Sequence, residues 1–221
     1  MSNQKANKDR VLILVNHDVV IYNFRKELVE RLLNEGYEVF ISSPQGDRIH
    51  DLVNMGCKYV EATVERRSLN PIAEHKLLNY YKRIIAQVNP GVVLTYTVKP
   101  NIYGGLACQK LNVPYIVNIT GLGTALENKG LLQSILVTLY RRALRNASCV
   151  FFQNTENRDF FACKEIYGKK QSLIPGSGVN LDHFCVLEYP DDRTINFAFI
   201  SRIMKEKGCL LYTSDAADEE D

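Results

Sequence analysis

The sequence predicts an α/β fold, in which a Rossmann-like, doubly wound parallel sheet carries helices on both faces. Short apolar runs such as VLILV recur along the chain, and they are continuous rather than alternating, as in strands that are buried on both faces. Stretches with a helical spacing of apolar residues separate these runs. Repeated strand–helix–strand units imply right-handed crossovers and therefore a parallel sheet.

Strands and helices alternate along this predicted domain. The strands are expected at 11–15, 37–43, 58–64, 90–98, 113–120, 148–154 and 171–175, and the helices at 22–36, 47–56, 72–89, 101–112, 131–147 and 155–168. In the first helix, Phe24, Leu28 and Leu32 share one face, and Gly36 provides a C-terminal stop. A further apolar run, 194–202, predicts one more buried strand.

Changes in composition divide the chain into five segments. Residues 1–10 form a polar leader that lacks the features of a signal peptide, and residues 11–175 form the Rossmann-like domain. A turn-rich linker over 176–193 precedes the start of a second domain over 194–208. The final segment, 209–221, contains five acidic residues and no basic one, and its pattern fits neither a strand nor a helix.

Composition and charge narrow the class of function. The six cysteines lack CxxC and CxxH spacing, which predicts a reduced, cytoplasmic protein without a metal site. No apolar run approaches the roughly 20 residues needed to span a bilayer. Without residues 209–221 the chain has 27 basic and 20 acidic side chains. This balance favours anionic partners such as nucleotides, diphosphates or an acidic membrane surface, and we do not expect nucleic acid among them.

The loop TGLGT is one candidate ligand site, because ligands of such sheets bind beyond the carboxyl ends of the strands. It offers Thr120, Gly121, Gly123 and Thr124. Its glycines allow backbone N–H groups to approach a phosphate or a sugar hydroxyl closely. The alternative is a turn that merely needs a positive φ. The loop also lacks the third glycine of a dinucleotide fingerprint.

Polar residues after two other strands extend this candidate acceptor site. Asn16, His17 and Asp18 follow the first strand, and Lys99 directly ends a central one. One interpretation is that His17 and Asp18 contact a sugar or transfer a proton. In the other, Asp18 caps the following helix and His17 is a hydrogen-bonded loop residue.

Basic residues form two further clusters. Arg202 and Lys207 flank a strand-to-helix loop, where two cations are suited to a diphosphate. The helix 131–147 carries Arg141 and Arg142 near its end, which fits either ordinary core packing or docking on an anionic membrane surface. The chain has no GxSxG, HExxH or GxxxxGK[ST] motif, which excludes the usual serine hydrolase, zincin and P-loop classes.

Several long phrases resemble glycosyltransferase family 4 enzymes, which have a two-Rossmann (GT-B) architecture. They are VNHDVVIYNFRKELVERL, VERRSLNP, TYTVKPNIYGGLACQKLNVPYIVNITGLGTAL, FFQNTENRDFF, IPGSGVNLDHF and FISRIMKEKG. The resemblance covers roughly residues 10–208. Within the family, these phrases are most similar to bacterial transferases that add N-acetylgalactosamine, or a similar sugar, to an undecaprenyl-diphosphate-linked saccharide.

The resemblance implies a retaining transfer from a UDP-sugar without a cofactor, by a cytoplasmic enzyme that can associate with the inner face of the cell membrane. The acceptor is expected on the loops of the first domain and the donor mainly on the second. Arg202 and Lys207 match the family's arginine and lysine that bind the donor diphosphate. Two departures stand out: Thr120 occupies a position where many members have a histidine, and the first loop lacks the glycines that many members have.

The last residues, CLLYTSDAADEED, resemble the conceptual translation of a DNA-sequencing adapter. We therefore expect residues 209–221 to be non-native, most of the donor domain to be missing, and the 221-residue chain to be inactive as a transferase. Two other classes of function stay open. One is a two-Rossmann sugar-nucleotide epimerase, which needs carboxylates and a histidine in its cleft. The other is a non-catalytic module that binds a sugar-diphosphate lipid.

Overall fold

A computed structural model describes residues 7–62, 70–123, 126, 130–188 and 197–201. Its strands are β1 (Asn7–Leu14), β2 (Glu38–Ser43), β3 (Lys58–Glu61), β4 (Pro90–Tyr96), β5 (Tyr115–Ile119), β6 (Cys149–Phe152) and β7 (Gln171–Leu173). Its helices are α1 (Asp18–Asn34), α2 (Ile49–Asn54), α3 (Pro71–Val88), α4 (Gly105–Leu111), α5 (Leu131–Leu144) and α6 (Thr155–Cys163). A π-helical turn, Pro100–Gly104, leads directly into α4.

The strands form one parallel sheet in the order β3-β2-β1-β4-β5-β6-β7. The chain first builds outward from β1 to β3, and then crosses back to β4 and builds in the other direction. The loops after β1 and β4 therefore diverge at the centre of the sheet, which is where ligands of open α/β sheets bind. The predicted fold class is confirmed. All seven strands belong to the first compact unit, Met1–Val179, and a second unit comprises Asn180–Asp221.

Two apolar layers cover the sheet, and β1 shows how one strand supplies both. Leu12 and Leu14 belong to one cluster, whereas Val11, Ile13 and Val15, which directly follows the strand, belong to the other. All five side chains are at most 2% exposed. Because both faces of the strand are covered, its sequence is continuously apolar rather than alternating. Burial of each such side chain contributes about 1.5–3 kcal/mol to folding.

Several element boundaries differ from the predictions for identifiable reasons. Strand β1 begins at Asn7, four residues before the expected start, because this polar segment reaches the start of β4, where Asn7 pairs with Pro90. Helix α1 begins at Asp18 rather than at residue 22, because His17 occupies the N-cap position.

The strand predicted over 194–202 is not formed by the residues that the structure describes there. Residues 197–201 have no strand conformation, and Phe197 and Ile200 are 89% and 93% exposed. A β-strand is stabilised by ladder hydrogen bonds to a neighbour. The sheet formed by the described residues runs from β3 to β7 and does not include this segment.

Candidate functional site

A cavity of about 330 Å³ opens at the carboxyl ends of β1, β4 and β5. Its lining residues all follow one of these three strands: Asn16, Thr97, Val98, Lys99, Asn101, Thr120, Gly121 and Gly123. The structure thus brings together five of the residues predicted from sequence, although they are separated by up to 107 positions along the chain. It also adds Thr97, Val98 and Asn101, which the sequence analysis did not select.

Lys99 is held in place by an ion pair with Glu74. The two side chains lie 2.7 Å apart (Nζ to Oε1), and each is only 13% exposed. Glu74 stands in the first turn of α3, whose start is fixed by Asn70 accepting a hydrogen bond from the Ile72 N–H. Burial, together with the nearby Glu74 carboxylate, raises the pKa of Tyr103 well above its usual range. The carboxylate of Glu74 therefore orients a cation at the cavity wall.

Thr97 adopts a backbone conformation that a β-branched residue rarely takes. Its φ is 71°, in the left-handed region, where the branched side chain is crowded against the backbone. Its carbonyl accepts a hydrogen bond from the Asn101 N–H at 3.0 Å, which helps to hold the turn. Strained residues of this kind cluster at functional sites. No glycine in the sequence marked this position, so nothing local could have predicted it.

Asn101 joins the ends of two neighbouring strands beneath the cavity. It is 2% exposed, and its Nδ2 donates to the carbonyl of Asn118 in β5 at 3.0 Å. Asn118 in turn donates to the carbonyl of Thr95 in β4 at 3.4 Å. The Oδ1 atom of Asn101 is buried and accepts no hydrogen bond from the described residues. Asn101 thus fixes the ends of β4 and β5 relative to each other beneath the cavity.

Asp18 is a structural anchor and is not part of the cavity lining. Its side chain is fully buried, and its Oδ2 accepts a hydrogen bond from the Arg48 N–H at 2.6 Å. Gly46 packs directly against the carboxylate, because a Cβ built on Gly46 would lie 2.2 Å from Oδ1. The carboxylate therefore fastens the start of α1 to the loop after β2. The predicted contact between Asp18 and an acceptor is corrected accordingly, because the protein itself occupies this carboxylate.

His17 also lies outside the cavity lining, next to Asp18. Its Nδ1 is 2.6 Å from Asp18 Oδ1 and 3.4 Å from the Val19 N–H. One nitrogen cannot both donate to the carboxylate and accept from the backbone, and the much shorter distance favours Nδ1–H donation to Asp18. The side chain of His17 is 38% exposed, so this partner orients a ring that remains accessible. It is His17, not Asp18, that occupies the N-cap position of α1.

Three predicted site residues, Thr124, Arg202 and Lys207, lie outside the described residues. In the part of the chain that the structure does describe, no group of three or more His, Cys, Asp or Glu side chains could hold a metal ion. Among the described helices, none is long and apolar enough to cross a bilayer.

Helix α5 packs mainly as a core helix. Its Val137, Tyr140 and Leu144 are buried, whereas Leu131 and Ile135 are 80% and 48% exposed. At its end, Arg141 donates to the carbonyl of Lys164 at 2.6 Å. The core-packing interpretation therefore holds for one face of α5, while exposed apolar side chains occupy its first two turns.

The parallel sheet, with a cavity at its switch point, defines a Rossmann-like domain. The chain belongs to the glycosyl transferase 4-like family, whose model matches residues 10–154. This confirms the family resemblance found in the sequence.

One curated relative is an N,N'-diacetylbacillosaminyl-diphospho-undecaprenol alpha-1,3-N-acetylgalactosaminyltransferase of Campylobacter jejuni. It is 27% identical over 180 residues, which are 79% of this chain and 48% of the relative. The chain therefore spans about half the length of the curated relative that it matches.

Several solved structures share the fold of this chain. A glycosyltransferase from Rickettsia africae superposes with a TM-score of 0.63 at 20% identity, covering 81% of this chain and 45% of that one. Sucrose-phosphate synthase from Thermosynechococcus elongatus superposes with a TM-score of 0.58 at 14% identity, covering 80% of this chain and 49% of that one. Anabaena Alr3699/HepE in complex with UDP and glucose superposes with a TM-score of 0.56 at 12% identity, covering 78% of this chain and 45% of that one.

Proposed function

We propose that this chain forms the acceptor-binding part of a glycosyltransferase that moves N-acetylgalactosamine, or a similar sugar, from a UDP-sugar to a lipid-diphosphate-linked saccharide. The observation that carries the proposal is the 27% identity, over 180 residues, to a transferase whose name specifies such an acceptor. The matching family model, which covers residues 10–154, supports the same class of reaction.

The chemistry of the cavity suits a saccharide close to a phosphate. Asn16, Asn101 and Thr120 offer amide and hydroxyl groups for sugar hydroxyls, and Lys99 offers an oriented ammonium group. Among the described residues that line the cavity there is no carboxylate, and Glu74, the partner of Lys99, is not one of them. This favours a transferase acceptor over the epimerase alternative, since the epimerase needs catalytic carboxylates in its cleft.

For the donor we propose a UDP-sugar, bound without a cofactor and transferred with retention of configuration. Arg202 and Lys207 are the proposed diphosphate ligands, because paired cations stabilise the negative charge that develops on the departing UDP. We further propose that the 221-residue chain binds its acceptor but does not transfer sugar by itself.

A lipid-linked acceptor requires contact with a membrane, and helix α5 is the surface that we propose for it. Leu131 and Ile135 are exposed apolar side chains, and Arg141 and Arg142 are exposed cations on the same helix. Apolar side chains next to cations favour binding at an anionic lipid surface. We therefore propose a peripheral location on the inner face of the cell membrane.

The test measures acceptor binding and sugar transfer separately. The 221-residue chain is titrated calorimetrically with a soluble, short-chain lipid-diphosphate disaccharide, and the same sample then receives UDP-N-acetylgalactosamine. We expect binding that Lys99→Ala weakens about tenfold, because a charge-assisted hydrogen bond is lost. Lys110→Ala is the matched control, since Lys110 is an exposed lysine at the end of α4.

Mass spectrometry of the acceptor distinguishes the remaining outcomes. Addition of one N-acetylhexosamine by the 221-residue chain would refute its proposed inactivity while supporting the transferase assignment. Binding without transfer, also by the complete reading frame of the source gene, would favour the non-catalytic module. Absence of binding by the wild-type chain would refute the proposed acceptor site.

A further inference from the structure

Arg25 is a buried cation in the middle of helix α1. It is 8% exposed, and its guanidinium carbon lies 5.2 Å from the centre of the Tyr96 ring. Its Nη1 donates to the carbonyl of Phe24 at 2.6 Å. Within the described residues, no carboxylate forms an ion pair with it.

The surroundings of Arg25 differ from those of the other cations on the same helix. Lys26 pairs with Glu30 at 3.8 Å, and Arg31 pairs with Glu35 at 2.7 Å, both on the exposed face. A cation–π contact offsets only part of the free energy that is lost when a cation is removed from water. Among the described residues, the exposed cations Lys26 and Arg31 thus pair with carboxylates, whereas the buried cation Arg25 contacts the Tyr96 side chain and the Phe24 carbonyl. That arrangement suits a cation that meets its anion only when a ligand binds.

Arg25 lies against the strand ends that support the cavity. Tyr96 is the last residue of β4, and the next residue, Thr97, lines the cavity. The partner of Tyr96 in β5 is Asn118, whose carbonyl accepts the hydrogen bond from Asn101. A ligand that fills the cavity and continues past the end of β4 on the side of α1 would therefore approach Arg25.

We propose that Arg25 binds the diphosphate group of the lipid-linked acceptor, an inference that rests on the function proposed above. Arg is suited to this role because its planar fork contacts phosphate oxygens in a bidentate manner. Two neighbours favour a lipid-linked diphosphate over a nucleotide. Phe24 and Leu28, on the same helix, are apolar side chains that are 54% and 37% exposed, and they can contact the first isoprene units.

The experiment compares binding of three probes to the 221-residue chain: farnesyl diphosphate, inorganic pyrophosphate and UDP. Affinities are measured by calorimetry for wild type, Arg25→Met, Arg25→Lys and the control Arg31→Met. We expect farnesyl diphosphate to bind wild type most tightly of the three. Arg25→Met should weaken the binding of farnesyl diphosphate at least about tenfold, because hydrogen bonds to a charged group are lost. Arg25→Lys should give an intermediate loss, and Arg31→Met should match wild type.

Thermal unfolding separates this role from a structural one. If Arg25 serves a ligand, Arg25→Met leaves the ligand-free Tm unchanged or raises it, since an uncompensated buried charge is removed. If Arg25 mainly supports the fold, the same change lowers Tm and leaves the affinity for farnesyl diphosphate intact, which would overturn the proposal. If Arg25→Met does not fold, Arg25→Lys provides the test instead, because lysine lacks the bidentate fork of arginine. Wild-type affinity of Arg25→Lys for farnesyl diphosphate would then overturn the proposal.

The three probes also identify the source of the phosphate. Tighter binding of UDP than of farnesyl diphosphate would assign Arg25 to the nucleotide and overturn the acceptor role, as would the absence of diphosphate binding by wild type. None of these binding and unfolding measurements requires sugar transfer. Absence of sugar transfer by the complete reading frame of the source gene, with intact Arg25-dependent binding, would therefore refute the catalytic assignment alone.

Discussion

Replacement of Gly46 by Ala tests the anchor that joins α1 to the loop after β2. The new Cβ would lie 2.2 Å from Asp18 Oδ1 and 2.4 Å from both Cγ and Oδ2 of the same side chain. Real Cβ atoms do not approach other heavy atoms this closely, so either the loop or the carboxylate must move. Asp18 is fully buried at the start of α1, so the carboxylate has little room to move and the loop is the part that shifts.

The size of the effect follows from two contributions. Overpacking of a closely packed site costs about 1–3 kcal/mol. Displacement of the loop also breaks the 2.6 Å hydrogen bond from the Arg48 N–H to Asp18, and hydrogen bonds to charged groups are worth about 1.5–3 kcal/mol. We expect Gly46→Ala to lower the free energy of unfolding by about 3 kcal/mol or more. The free energy of unfolding of a typical domain is only about 5–15 kcal/mol, so this loss is a large fraction of it.

Urea denaturation followed by circular dichroism measures this change, and a double-mutant cycle assigns it. In an Asp18→Ala background the clash is absent, so Gly46→Ala should then cost less than about 1 kcal/mol, with a coupling energy of about 2 kcal/mol. Gly121→Ala is the control, because a Cβ at Gly121 meets nothing within 4 Å. The free energy of unfolding of this variant should differ from that of wild type by less than about 1 kcal/mol. Additive effects of the Asp18 and Gly46 substitutions would refute the proposed contact.

Two further predictions concern titration and reactivity. Burial raises the pKa of Tyr115 from 10.0 to about 12, with the hydrogen bond from Gln109 opposing the shift. The unfolded chain then loses this proton first, so the free energy of unfolding should fall as pH rises from about 10 to 12, and Tyr115→Phe should reduce that slope in urea titrations. An unchanged slope would contradict the argument. Burial likewise raises the pKa of the Cys57 thiol to about 11. In timed alkylation with peptide mapping, Cys57 should react only on unfolding, whereas the exposed Cys163 and Cys185 should react at once. Equal rates would show that Cys57 is accessible.

The sequence predicted those features that depend on local pattern or on topology. Continuous apolar runs located the strands, because both faces of a parallel sheet are covered. The rule that ligands bind beyond the carboxyl ends of strands then selected Asn16, Lys99 and the glycine loop, which the structure does bring to one cavity. These inferences required no knowledge of which side chains touch.

Features that depend on contacts between distant segments were not predictable. Asp18 becomes an anchor only because Gly46, 28 residues later, packs against it. Arg25 belongs to an ordinary basic and apolar helix pattern, yet it is buried and contacts the ring of Tyr96, 71 residues away. Thr97 takes a left-handed conformation without a glycine to mark it, because the hydrogen bond from Asn101 holds the turn. In each case the sequence contains the residue but not the partner that determines its role.

Lys99 and Arg25 are both cations at the end of β4, but their surroundings suit them to different tasks. Lys99 is neutralised by Glu74 at 2.7 Å, so it adds little net charge and acts mainly as an oriented hydrogen-bond donor. Arg25 has no carboxylate partner among the described residues, so its charge remains available to a diphosphate. Affinity for farnesyl diphosphate should therefore fall with added salt in wild type and less steeply in Arg25→Met, because screening acts on net charge. The Lys99→Ala/Glu74→Ala double variant, which removes both charges of the ion pair and leaves the net charge unchanged, should keep the wild-type salt dependence while losing affinity for the saccharide. Equal salt slopes in all three proteins would contradict this division of roles.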